Sequence, residues 1–257
     1  YHELRNYDFG VYNRRNVSQI SKYISHRILL EYEIIEKLKT VDRKQKFTDE
    51  IIWRIYWRGY LENHKSIWES YKDFTEFSYD STLLNDAYNG VTGIECFDNW
   101  IEELIENNYL HNHTRMWFAS IWIFTFGLPW QLGARLFIKH LYDGDAASNT
   151  LSWRWIAGLH TNKKPYLASK KNINKFTQNR FKSTSINISN KINIIKSIKH
   201  QSNRIPSKIN PPVSKILFMF ENDMNISNRN KLFNSYSKIY IIFNQTFEDK
   251  FKLSKNV

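Results

Sequence analysis

The chain has 257 residues, 42% hydrophobic and 16% aromatic, and all nine tryptophans lie between Trp53 and Trp155. That content excludes intrinsic disorder for the first two thirds and suffices for one large core or two modest ones. The net charge of +12 is uneven, with 24 basic against 21 acidic side chains in residues 1–181 and 13 against 4 in residues 182–257, so the balanced first part by itself demands no nucleic-acid partner.

Helical signals dominate residues 17–145. Ser18 or Ser21 is placed to cap a helix running through Ile24, and a second starts near Leu30 and carries Ile34, Ile35 and Leu38. Thr48 suits an N-cap, with Asp49 and Glu50 in a first turn where the helix dipole favours anions; Ile51, Ile52, Ile55 and Tyr56 follow at helical spacing. Phe97, Trp100, Ile101, Leu104 and Ile105 form an amphipathic stripe that Asn107-Asn108 stops. The longest apolar run, Met116 to Trp130, is interrupted by Gly127-Leu128-Pro129 and is too short to span a bilayer, so a buried core helix is expected. Leu132, Phe137, Ile138 and Leu141 form another stripe. Residues 182–212, rich in Ser, Asn, Lys and Ile and ending in Pro211-Pro212, read as a basic linker. Beyond them Lys215–Phe220 and Lys238–Phe243 read as two buried strands around a short helix. The expected architecture is mainly α: a helical domain over 1–181, the linker over 182–212 and a small α/β-like segment over 213–257.

The single cysteine, Cys96, excludes a disulfide framework and a multi-cysteine metal site and fits a reducing cytoplasm. The start carries no secretory pattern, and Tyr1 in place of Met suggests a trimmed chain. His111 and His113, two residues apart, do not share a helical face, which argues against zinc. Gly90-Val-Thr-Gly93 is too short for a phosphate loop and lacks its lysine.

Three constellations carry chemistry. Arg115 stands before the apolar run and Asp143-Gly-Asp145 after the next helix, which places a cation and carboxylates at the two ends of a helical hairpin. A buried arginine needs a carboxylate, so the pair reads either as an interhelical salt bridge or as a grip on the polar edge of a flat heterocycle. Glu50, Trp53, Arg54 and Trp57 share a helical face where a carboxylate beside indoles makes a slot for a stacked, hydrogen-bonded base; an ordinary amphipathic helix is the alternative. Trp130, Trp153 and Trp155 are redox-capable indoles, or core filler. The acid-free run Lys163, Lys164, Lys170, Lys171, Lys175 and Arg180 could meet phosphates.

Taken in order, these residues resemble the FAD-binding domain of the DNA photolyase/cryptochrome family over about residues 1–181. Tyr1 and Arg5-Asn6-Tyr7 are similar to the family's opening, and Val17-Ser18-Gln19-Ile20-Ser21 to its Thr/Val-Ser-x-Leu-Ser loop. Glu50-Ile-Ile-Trp-Arg-Ile-Tyr-Trp57 resembles its Glu-Leu-Ile-Trp-Arg-Glu-Phe-Tyr helix, and Gly90-Val-Thr-Gly93 its Gly-Lys-Thr-Gly. Leu110-His-Asn-His-Thr-Arg-Met116 resembles Met-His-Asn-Arg-x-Arg-Met. The most specific matches are Asp143 to Asn149 with Asp-Gly-Asp-x-Ala-x-Asn, and Trp153 to Ala157 with Trp-Gln-Trp-x-Ala. His113 stands where the family usually has a DNA-contacting Arg, and Phe47 and Tyr109 replace common tryptophans. The Leu159–Tyr166 stretch resembles a bacterial photolyase-like branch; no N-terminal antenna-domain pattern is present, and the segment beyond Phe181 matches no part of the family.

The resemblance implies a helical domain around a U-shaped FAD. Tyr1 and Val17, Ser18, Gln19, Ile20 and Ser21 would hold its phosphate and ribose region, and Phe47, Glu50, Arg54, Asn112, Arg115, Asp143, Asp145 and Asn149 would line the rest, with Asn149 facing flavin N5. It further implies a carbon-carbon lyase that uses blue light to split cyclobutane pyrimidine dimers in damaged DNA, with a flipped dinucleotide in a pocket over the flavin. Arg5, Trp53, Trp57, Asn112, His113, Met116 and Trp155 would meet that DNA, and Glu50 would hydrogen-bond the dimer. Trp153 and Trp130 match the inner members of a photoreduction relay whose outer member falls nearest Tyr79. A cryptochrome-like photoreceptor without repair is the alternative. A cytoplasmic monomer is expected.

Overall fold

The computed structural model describes residues 3–74, 79–160, 164–181, 215–220, 223, 225 and 233–242. Tyr1, Lys163, the 182–212 linker and the short helix expected between the strands lie outside these residues, apart from a single turn at Phe233. In chain order the helices are α1 (Ser21–Ser25), α2 (Glu31–Leu38), α3 (Gln45–Asn63), α4 (Lys65–Lys72), α5 (Ser81–Asn89), α6 (Glu95–Asn107), α7 (Asn112–Ser120), a π-helical turn (Ile121–Thr125), α8 (Trp130–His140), α9 (Ala146–Ile156) and α10 (Lys170–Phe176). Two strands follow, β1 (Ile216–Phe220) and β2 (Lys238–Ile242).

The expected helix starts shift where backbone bonding outruns side-chain caps. The Thr48 amide donates to Lys44 O at 2.9 Å, so α3 begins at Gln45 and Thr48 lies inside its first turn rather than capping it. The N-cap of α1 is Ile20, not Ser18 or Ser21, and no side chain bonds there. The α6 stripe ends as expected, with Asn108 in the left-handed region at φ 53°, where asparagine is tolerated. Asp145 caps α9 by accepting from Ser148 N at 2.7 Å.

The apolar run after Met116 is not one helix. It passes from α7 into the π-helical turn and stops where Gly127 takes φ 67° and Pro129 removes a donor. Trp122 Nε1 donates to Pro129 O at 2.9 Å, which ties the turn to the start of α8.

Two apolar clusters result. The larger joins α6, α7, the π-helical turn, α8 and α9 around Trp100, Trp117, Trp122 and Trp153, with Trp100 stacked on Trp117 at 5.8 Å and Phe97 on Phe118 at 4.4 Å. The smaller joins Ile24 of α1, Ile34 of α2 and Ile51 of α3. A methyl group on Gly133 would run into the Trp153 ring, so glycine is what lets α8 and α9 close around that indole.

The strands pair in parallel, Ile216 opposite Lys238 through Phe220 opposite Ile242. They are not the buried strands expected. Met219 is buried, whereas Phe218, Phe220 and every residue of β2 are exposed, because a two-stranded sheet has nothing among the described residues to sandwich its faces.

Candidate functional site

A cavity of about 930 Å³ opens between the two clusters. Its base is the loop Val17, Ser18, Gln19, Ile20 and Ser21, all on its wall, with Gln19 held at φ 55°. The loop runs directly into α1, so its position follows from the seating of that short helix.

The polar middle of the cavity is an interlocked set of ion pairs. Arg115 Nη2 donates to both Asp143 oxygens, at 2.9 and 3.1 Å, and its Nε donates to Leu110 O at 2.9 Å. Burial alone would raise the Asp143 pKa; Arg115, the Ser21 hydroxyl and Arg54 outweigh it and hold the carboxyl below the usual range. Asp145 behaves alike: burial raises it, and Arg54, Arg58 and the Ser148 amide and hydroxyl bring it down. Arg58 ties the site to α2, lying 3.1 Å from Asp145 and 2.8 Å from Glu31. Sequence reasoning missed Arg58, although it falls one helical turn after Arg54 on the same face.

Among the described residues several buried polar atoms of wall residues lack partners. Arg54 gives Nη2 to the Ser25 hydroxyl, but its Nε has no acceptor, and neither has Trp153 Nε1. Both nitrogens are shielded behind the wall, so the polar character of the cavity rests on Ser18, Ser21, Arg115, Asp143 and Asn149. Asn149 donates Nδ2 to Ala134 O at 2.8 Å. Its Oδ1 remains as the acceptor for the cavity it lines.

The mouth carries the remaining residues. Trp53 and Trp57 lie 5.4 Å apart on α3, and Trp155 stacks on Tyr166 at 5.7 Å across the opening. Glu50 also lines the cavity, 3.4 Å from Arg5 Nε, while Phe47, Asn112 and Met116 complete the walls. His113 is on the wall but is not placed as a phosphate-binding cation. Its Nδ1 sits 2.9 Å from Asn6 O, its Nε2 is 3.4 Å from the Tyr166 hydroxyl, and its ring packs on Trp117 at 4.1 Å. Burial lowers its pKa and favours the neutral ring. His111 beside it is pushed down to about 4, first by burial.

Among the described residues, Trp130 is the predicted site residue the cavity leaves out. It lies buried behind the wall, stacked on Tyr71 at 5.5 Å, and Tyr71 contacts Trp68 at 5.3 Å. The ring stacked on Trp130 is Tyr71 of α4, while Tyr79 is exposed. Nothing in local spacing marks Tyr71, because the contact joins α4 to α8.

The model for the FAD binding domain of DNA photolyase matches residues 47–214. The chain belongs to that family. Its cofactor is FAD, and the site fits the group: the cavity volume lies within the roughly 300–1,000 Å³ of cofactor pockets, and Ser18, Ser21, Arg115, Asp143 and Asp145 give it a polar, charged lining. The chain is 28% identical over 177 residues to the deoxyribodipyrimidine photo-lyase of Buchnera aphidicola subsp. Baizongia pistaciae, covering 63% of this chain and 36% of that protein. It is 29% identical over 123 residues to the one of Escherichia coli, covering 46% and 26%. The chain thus spans about a third or less of the curated relatives it matches. Among solved structures, a bacterial class III photolyase from Agrobacterium tumefaciens superposes with TM-score 0.60 at 23% identity, over 68% of this chain and 38% of that one. A Synechocystis cryptochrome superposes equally, TM-score 0.60 at 21% identity over 68% and 38%; both likenesses establish the helical photolyase/cryptochrome fold. Among the described residues no helix is long and apolar enough to cross a membrane.

Proposed function

We propose that this photolyase-family domain repairs cyclobutane pyrimidine dimers in DNA under blue light. The observation that carries the reading is a single cavity that joins a buried Arg115–Asp143 pair to an open mouth walled by Trp53, Trp57 and Trp155 with Glu50 beside them. The buried end suits a redox heterocycle, and the mouth suits two unstacked bases. Reduced FAD, when bound, supplies the light-excited electron that opens the dimer.

The chain's own residues do the rest. Ser18, Ser21 and the loop amides suit the diphosphate and ribose. Phe47, Asn112 and Arg54 serve the inner wall, and Arg115 would oppose negative charge on the reduced ring while Asp143 keeps Arg115 in place. Asn149 offers Oδ1 to the N5 edge, its amide nitrogen being engaged by Ala134. At the mouth Trp53 and Trp155 stack on the dimer bases, Glu50 accepts from their edges, and Arg5 keeps Glu50 turned inward. Met116 fills the wall and excludes water. Trp153 on the wall and the stacked pair Trp130–Tyr71 behind it would be the members of an aromatic route that recharges the flavin.

The test follows dimers in ultraviolet-treated oligonucleotides mixed with the purified flavin-loaded protein. Loss of dimers under blue light and none in darkness supports the reading; loss in neither condition overturns it. The engaged, neutral His113 favours a second reading, a blue-light photoreceptor without repair. That reading predicts flavin photoreduction while the dimers persist.

A further inference from the structure

The C-terminal segment grips the helical domain behind the cofactor loop. Asp223 Oδ1 lies 3.1 Å from Arg27 Nε, and Asn225 Nδ2 donates to Ile28 O at 2.9 Å and to Glu33 Oε2 at 3.5 Å. The ion pair is half exposed, but Asn225 is only 2% exposed, so it is sealed into the seam. Their target is the turn between α1 and α2. That turn holds Arg27 at φ 51°, a left-handed conformation unfavourable for a long side chain. Glu33 Oε2 also accepts from Leu30 N at 2.9 Å, so one asparagine bridges the carbonyl after α1 and the carboxylate that starts α2.

The same turn and its flanks are bonded to residues of the cavity wall and its rim. Ser25 donates to Asp143 O at 2.9 Å and receives Arg54, His26 Nε2 lies 3.2 Å from Tyr142 O, and Glu31 holds Arg58 against Asp145. α1 begins at Ser21, the last residue of the cavity loop. Displacement of this turn is transmitted to the loop through five residues of helix.

We propose that the α/β segment is an intrachain latch on the cofactor site, in which Asp223 and Asn225 hold the strained α1–α2 turn and so keep the Val17–Ser21 loop closed on FAD. The proposal rests on the reading that this loop holds the FAD phosphates. Substitution of Asn225 opens the loop more often and speeds cofactor escape without touching any residue on the cavity wall.

The experiment uses the full chain. FAD release is followed by the rise of free-flavin fluorescence after dilution, and amide exchange of residues 17–28 is measured with and without FAD. Asn225→Ala is expected to release FAD about tenfold faster, the factor that one lost buried hydrogen bond gives, and to exchange faster over 17–28 with far-ultraviolet circular dichroism unchanged. Arg27→Glu is expected to act in the same direction more weakly, and Arg27→Glu with Asp223→Lys to recover the parent rate. If Asn225→Ala folds and matches the parent in both release and exchange, the latch is refuted. If Asn225→Ala does not fold, the charge-swap series decides alone, and absence of recovery refutes the latch. If the parent protein binds no FAD and Asn225→Ala still exchanges faster over 17–28, the clamp on the turn stands and the cofactor reading of the loop is refuted.

Discussion

Two neighbouring helices that line the cavity, α3 and α9, are built in opposite ways. In α9 Ala147, Asn149, Thr150, Leu151, Trp153, Arg154 and Ile156 are all buried, whereas in the 19 residues of α3 the one buried side chain is Ile51. α9 is locked by the larger core, with Trp153 wedged edge-on to Phe118, Trp122 and Phe137. α3 shows Ile52, Trp53, Ile55 and Tyr56 to solvent. A packed wall holds a cofactor in one geometry. A wall of exposed indoles and aliphatics keeps apolar surface for a guest that comes and goes.

The sharpest break in that contrast is at the packed wall's charge. Arg115→Ala strands Asp143, whose side chain is 4% exposed, so it is expected to destabilise the fold by about 3–5 kcal/mol and abolish flavin retention. Thermal melting and the visible absorption of the purified protein read both. Gly133→Ala drives a methyl group toward Trp153, and a loss of about 1–3 kcal/mol in denaturant unfolding is expected, because neither helix can retreat from the core. On α3, Trp53→Ala is expected to leave stability within about 0.5 kcal/mol. Its effect is on dimer-containing DNA, whose affinity falls by about 1–3 kcal/mol per lost stack in a fluorescence titration. An equal loss of stability in Trp53→Ala and Gly133→Ala would erase the distinction between the walls.

A smaller, pH-dependent effect lies behind the packed wall. Burial pushes Glu103 up to about 7, against its Arg14 partner at 2.6 Å. The folded state therefore holds this proton more tightly than the unfolded chain, and stability contributed by the protonated group is full below about pH 4.5 and lost as pH rises to about 7. Buried His111 acts oppositely: its contribution is present above about 6.5 and lost as pH falls toward 4. Comparing Glu103→Gln with the parent isolates the first effect; the variant's stability is expected to fall less between pH 4.5 and 7. A parallel pair of curves would show that Glu103 stays ionised.

Much of the architecture was legible in the residue order. The 3.6-residue spacing marked α2, α6 and α8, because each has one face toward a core. The ends of the hairpin named Arg115 and Asp143, and the structure brings them to 2.9 Å. What escaped the reading was long-range. Arg58 meets Glu31 and Asp145 across three helices, Tyr71 reaches Trp130 from α4, and His113 turns inward onto Trp117. The expectation of buried strands failed because apolar content reports the surface that needs cover, not whether cover is present.

Sequence alone determined the helical class, the arginine and carboxylate ends of the hairpin and the serine-bearing loop at 17–21, since periodicity and residue type act over a few neighbours. Tertiary structure decided which buried polar atoms stay unpartnered, which indoles line the cavity, and that Asn225 reaches back to Ile28 and Glu33. Those outcomes depend on how separate elements pack, and burial converts small differences in that packing into large costs for any polar group left without a partner.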